Sequence, residues 1–293
     1  MSSPTGTAAA TAPHHGRGAA LMIGSALCFS SNVLLIRALG GAEVVNVWLA
    51  TCVRFVVGIA LVALVYRREW QPARLLRQPT LISRGVVGGL SVYIFYQTIV
   101  HLGAGRATFI NNTYIVFGAL LAVWLLGERF RTAHALGGCT ALAGLALLTS
   151  AFSASAHASR YDALAVLGAL ASGYAIVTIR QLHATEHTAT IFASQCVYGL
   201  AICLGPALIY FQGVTPVALT VMGLAGVFSA AGQILMTLAF RDLAVAEGAL
   251  LQILMPLATA IGGGVFFHER FAAHELTGAA LILAGTAFAA VRR

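Results

Sequence analysis

The feature that most limits this chain is a succession of apolar stretches, each long enough to cross a bilayer. About 20 consecutive apolar residues span the hydrocarbon core as a helix. The sequence offers ten such segments, near 18–38, 44–66, 81–100, 105–126, 133–151, 161–182, 188–210, 216–240, 245–267 and 273–291. The connections are short, so one compact bundle is expected without a soluble domain. In lipid every backbone polar group must be bonded within the segment, which makes helices the only option here. Only 9% of residues are charged and 59% are hydrophobic. A soluble domain carries about a quarter charged residues, so this chain cannot clothe a water-facing surface. The expected fold class is all-α integral membrane.

Orientation follows from the basic residues, because cytoplasmic connections are enriched in them. All 17 are arginine. One set of segment ends holds Arg17, Arg67, Arg68, Arg74, Arg77, Arg84, Arg129, Arg131, Arg180, Arg241, Arg292 and Arg293. The other holds Arg37, Arg106, Arg160 and Arg270. Twelve against four puts both termini in the cytoplasm, which agrees with an even number of spans. Residues 1–17 (MSSPTGTAAATAPHHGR) read as a disordered tail; they make a poor signal-peptide start, and the apolar run after them is too long for one. Residues 152–160 read as an outer loop and 292–293 as a cytoplasmic C-terminus. With so few charges, the net charge of +8 reflects topology and not a nucleic-acid surface.

The chain repeats itself. After the fourth segment it reads LLGERFRTAHALGG, and after the ninth FFHERFAAHELTG. Glu128-Arg129-Phe130 pairs with Glu269-Arg270-Phe271, and His134-x-Leu136-x-Gly138 with His274-x-Leu276-x-Gly278. Five spans is an odd number, so the second copy starts from the opposite side of the membrane. Residues 18–151 and 161–291 thus read as two inverted-topology five-helix repeats around a central cavity, an architecture common among secondary transporters.

These motifs resemble the EamA-like branch of the drug/metabolite transporter superfamily. The second copy carries the pattern from Pro256 to Glu269 and on to Gly278 and Gly285; the first has Gly127-Glu128, with Ile115 at the proline position. His268 replaces the second glycine, and Arg54-Phe55 is similar to the recurrent Arg-Phe of the second span. The resemblance implies an exporter of small metabolites, most like a bacterial amino-acid exporter of the inner membrane. It also implies that spans 1–4 and 6–9 enclose the cavity while 5 and 10 are peripheral.

Polar side chains in hydrocarbon are costly and turn inward. They fall in the first span (Asn32), the third (Tyr93, Tyr96, Gln97), the fourth (Asn111, Asn112, Tyr114), the sixth (Tyr174), the seventh (Gln195, Tyr198), the eighth (Gln233) and the ninth (Gln252). The fifth and tenth have no central amide or tyrosine. These side chains, with Trp48, are the candidate substrate-binding residues, suited to an amphipathic solute through amides, phenols and aromatic walls. Asn111 and Tyr114 share a helix face, and the repeat sets them against Gln252 and Met255. Arg54 reads as the one charge deep in a span; it can draw an anion, neutralise a helix end or snorkel. Pro206 and Pro256 are candidate hinges.

No cofactor or nucleotide motif is present, and the five cysteines lack a C-x-x-C pair. His183-Ala184-Thr185-Glu186-His187 fits the H-x-x-E-H zinc pattern, but its place in a short connection favours a solvated loop over a zinc hydrolase. A non-transporting scaffold would leave an internal polar path without a purpose. The expected partners are a small-molecule solute and the lipid bilayer, with no nucleic acid, in a monomer or homodimer.

Overall fold

The computed structural model describes residues 15–39, 46–102, 104–128, 132–151, 159–268 and 270–291. These form thirteen helices: α1 His15–Ala38, α2 Val47–Val65, α3 Pro72–Arg77, α4 Pro79–Leu102, α5 Ala104–Asn112, α6 Tyr114–Leu126, α7 Thr132–Leu148, α8 Arg160–Leu182, α9 Thr188–Ile209, α10 Pro216–Asp242, α11 Val245–Gln252, α12 Leu254–Phe267 and α13 Ala273–Val291. Eight stretches among the described residues are long and apolar enough to cross a membrane, with Arg106–Leu126 and Val245–Phe267 each built from two helices. The apolar stretches Thr132–Leu148 and Ala273–Ala289 are shorter. Residues 1–14, Arg129, Phe130, Arg131, residues 152–158, Glu269, Arg292 and Arg293, all used in the sequence reading, lie outside the described residues.

Helix starts are set by local chemistry. The Asn46 side chain accepts from the Trp48 and Leu49 amides, and Ser159 with Asp162 forms a capping box at α8. Thr215 caps α10 ahead of Pro216. One boundary differs from the sequence reading. Helix α1 begins at His15, inside the expected tail, because His15 pairs with Glu247 and Arg17 with Asp242 at 3.6 Å. Those contacts tie the first turn to α10 and α11.

Packing sorts the helices into two bundles that exchange members. Helix α8 packs against α4, α5 and α6, and α1 packs against α10, α11 and α12. The first helix of each half therefore sits with the third and fourth spans of the other half. Two further pairs, α2 with α9 and α7 with α13, join the bundles. The two packed units of this fold are therefore swapped bundles and not the two sequence halves.

Both spans made of two helices break at matching places. Arg106–Leu126 breaks at Thr113 and Val245–Phe267 at Ile253, 140 positions apart (253 minus 113). Each then ends on a left-handed residue, Gly127 at φ 65° and His268 at φ 54°, which are 141 positions apart (268 minus 127). The same spacing relates contacts. A Cβ on Gly137 would lie 2.6 Å from the Gly285 carbonyl oxygen, and one on Gly285 would lie 2.6 Å from that of Gly137. Gly144 and Gly278 face one another in the same reciprocal way, at 2.6 and 2.5 Å. Only glycine lets two backbones approach so closely. A Cβ on Gly138 would meet no heavy atom within 4 Å, whereas one on Gly278 would meet α7.

Candidate functional site

The N-N-T-Y run of the fourth span divides into two kinds of residue. Asn112 donates through Nδ2 to the Thr108 carbonyl at 2.8 Å, and Thr113 through Oγ1 to that of Ile110 at 2.6 Å. Side-chain bonds of this sort compete with the helix ladder, and here they mark the break between α5 and α6. Asn111 and Tyr114 flank the break, Asn111 half-buried and Tyr114 buried. No protein group among the described residues bonds to either side chain. In the ninth span the break comes from Pro256, which has no N–H to offer the carbonyl four residues back, that of Gln252. The Gln252 Oε1 is buried without a hydrogen-bond partner, as is the Gln233 Nε2 on α10. Each bundle thus carries polar groups that its own helices leave unsatisfied.

The other candidates spread over three places. Trp48 and Tyr93 stack with ring centroids 4.7 Å apart, closing the gap between α2 and α4. Asn32 donates to the Ala225 carbonyl at 2.8 Å, so it ties α1 to α10. Arg54 lies over the Phe29 and Phe55 rings, at 5.8 and 5.9 Å. Tyr96 and Gln97 are half-buried in the last two turns of α4. The third group surrounds the start of α4: Tyr174 donates to Ser83 Oγ at 2.9 Å, and Tyr198 to the Leu75 carbonyl at 2.8 Å. Helix α9 runs on through Pro206 for three more residues, whereas Pro256 follows a real break.

Arg84 corrects the sequence reading. It was counted among arginines at a segment end, with Arg54 as the one deep charge. In the structure Arg54 is half-buried, and Arg84 is only 1% exposed, the largest fully buried side chain among the described residues. Its Nη2 donates to Gln195 Oε1 at 3.0 Å, while Nε and Nη1 find no acceptor. The Gln195 amide is held in turn by the Gly88 carbonyl at 3.4 Å. Gly88 also makes the room, because a Cβ there would collide with Nη1. A legible signal existed: Gly85, Gly88 and Gly89 follow the arginine within five residues of an otherwise apolar helix.

At the Glu128 end of the molecule the two bundles are latched. Arg180 pairs with Glu128 at 2.6 Å and donates to the carbonyls of Phe240 at 3.0 Å and Leu243 at 2.6 Å. Glu128 Oε2 accepts from the Val245 amide at 3.0 Å. His183 joins the latch through Nε2 and the Thr237 carbonyl, at 2.6 Å. Burial pushes the His183 pKa below its ordinary value; the Thr237 bond opposes this, and the charges of Arg241, Arg180 and His187 add to it. Every polar bond between the bundles, among the described residues, lies at this end.

The zinc reading of H-x-x-E-H fails on the same geometry. His183 faces Thr237, Glu186 binds Arg74 at 2.6 Å, and His187 caps α9 by accepting from the Ala189 amide. The three side chains serve three different contacts, and no metal-binding group of histidine, cysteine or carboxylate occurs among the described residues.

Fold and interior together define a polytopic helical membrane protein with polar groups set between two bundles. The chain belongs to the EamA-like transporter family, whose pattern it matches twice, over residues 16–150 and 159–291. It is 28% identical over 235 residues to the pseudopaline exporter CntI of Pseudomonas aeruginosa, covering 78% of this chain and 81% of the relative; the proteins of strains UCBPP-PA14 and PAO1 match equally well. A protein solved by crystallography shares the fold at a TM-score of 0.75, with 20% identity, over 94% of this chain and 97% of the other.

Proposed function

We propose that this protein is a secondary transporter that exports small amphipathic metabolites, amino acids and aromatic ones among them, by alternating access. It is a carrier and not an enzyme. Ten helices cross the bacterial inner membrane as two inverted five-helix repeats, with both termini in the cytoplasm. The double family match, the matching breaks in the fourth and ninth spans and the reciprocal glycine contacts support the repeat. The arginine asymmetry supports the orientation. At about 1.5 Å per residue, α7 and α13 have the length of short spans.

One observation carries the reading: unsatisfied polar groups sit on both bundles, Asn111 and Tyr114 on one side, Gln233 and Gln252 on the other. A solute passing between the bundles would meet an amide and a phenol on one flank and two amides on the other. The relatives named as exporters support outward movement, and pseudopaline export by them leaves the solute of this chain to be found among small amphipathic molecules. Export requires the latch at the Glu128 end to open toward the cytoplasm and close behind the solute. The test is purified protein in liposomes, given labelled amino acids and unrelated metabolites with and without a pH gradient. Solute crossing faster than in empty liposomes is expected; no difference for any solute would overturn the reading.

A further inference from the structure

Arg84 is a buried charge whose protein partner, Gln195, is neutral and takes one of its five N–H bonds. A guanidinium inside a membrane protein is costly unless an anion or acceptors answer it. The surroundings are nonetheless built to hold it. Gly88 leaves space for Nη1, Gln195 is braced by the Gly88 carbonyl so that its oxygen faces Nη2, and Nε and Nη1 have no protein acceptor. Ser83 and Tyr174 share a hydroxyl bond one residue away along α4. The Nε and Nη1 N–H groups left without acceptors are charged donors of the kind that a carboxylate satisfies.

The position fits a transport path. Arg84 stands on α4, in one bundle, against α9, which belongs to the pair that joins the bundles. A contact of this kind opens when a bundle tilts. The repeat adds a counterpart. Gly58 and Gly199, 141 positions apart, face Cys196 and Phe55, also 141 apart, so α2 and α9 correspond at that spacing. Arg54 then falls at the position equivalent to Gln195. It lies beside Gly226 on α10, which packs on Val57 as the equivalent Gly85 on α4 packs on the equivalent Tyr198. Each of the two equivalent seams therefore holds one arginine, contributed by opposite partners.

We propose that Arg84 is the anion-binding residue of the transport path and receives the carboxylate of the solute, with Arg54 as its counterpart in the related seam. This rests on the transporter reading above and narrows its substrate class to carboxylate-bearing solutes. The experiment compares amino acids with the corresponding amino-acid amides, in liposome flux and in direct binding to the detergent-solubilised protein. Wild type is expected to prefer acid over amide, and Arg84→Gln to reduce that ratio about tenfold or more, the scale of a charge-assisted bond. Gly88→Ala displaces Nη1 while favouring the helix, and is expected to reduce the ratio too if Arg84→Gln fails to fold. Equal handling of acid and amide by wild type overturns the proposal, as does an unchanged ratio in a folded variant; the transporter reading survives both. If wild type moves no solute, the transporter reading falls, and binding decides alone: an acid preference lost in the variants upholds the anion site, and no acid binding removes it.

Discussion

Two helix pairs join the bundles, and both cross at glycines related by the same 141-residue spacing, yet they use the glycines for opposite ends. In α7 and α13, Gly137, Gly144, Gly278 and Gly285 bring backbone against backbone, with carbonyl oxygens where side chains would be. In α2 and α9, Gly58 makes room for Cys196 and Phe192, and Gly199 for the Phe55 ring. The neighbouring α4 seam uses Gly88 to seat a guanidinium. The first pair is dry and has nothing to exchange. The second is filled by side chains, some polar, that can be repacked. A seam of bare backbones suits a fixed axis, and a seam of side chains suits a surface that opens.

The sharpest way to break this contrast is Gly144→Leu. It places a side chain against the Gly278 carbonyl and should cost about 3 kcal/mol, read as a lowered melting temperature in detergent. Gly138→Leu on the same helix should cost less than Gly144→Leu, since a Cβ at Gly138 meets no heavy atom within 4 Å. Next in size is Gln195→Leu in the polar seam. It strips Arg84 of its acceptor and should destabilise by about 2 kcal/mol. Asn112→Ala removes the bond to Thr108 at the helix break and should cost about 1 kcal/mol. Asn111→Ala and Tyr114→Phe should instead lower flux with melting unchanged; full flux in both would reduce them to packing residues.

The smallest effect is pH dependence at the latch. The folded pKa of His183 lies below the ordinary 6.5, so the unfolded chain takes up the proton more readily. Its contribution is complete above pH 6.5 and is lost as pH falls through that value toward the folded pKa. His183→Gln should flatten the stability profile across that window, and a profile identical to wild type would remove His183 from the latch.

Much of the fold was legible because spans are written in apolar length. Eight of the ten expected segments match helices long enough to cross, within a few residues at most ends, and the two dry segments form their own pair. The exchange of α1 and α8 was not legible. Periodicity says which face of a helix is apolar, and not which neighbour covers it. The site was half legible for a related reason. Polarity marks Asn111 through Tyr114 as one cluster, but only coordinates divide Asn112 and Thr113, which bond their own helix, from Asn111 and Tyr114, which do not. Arg84 was hidden because a charge six residues into a span looks like one that reaches the surface. Nothing in the pattern says that α9 closes over it.

The central claim is that the two swapped bundles tilt about the dry pair, opening one end of the path as the other closes. Spin labels in a cysteine-free background can follow both ends at once. Gln181 on α8 and Arg241 on α10 report on the latched end, and Val100 on α4 and Ala38 on α1 on the other; all four are exposed. Adding a transported solute should lengthen one of these distances and shorten the other. Two distances that stay fixed, or that change in the same direction, would contradict the account.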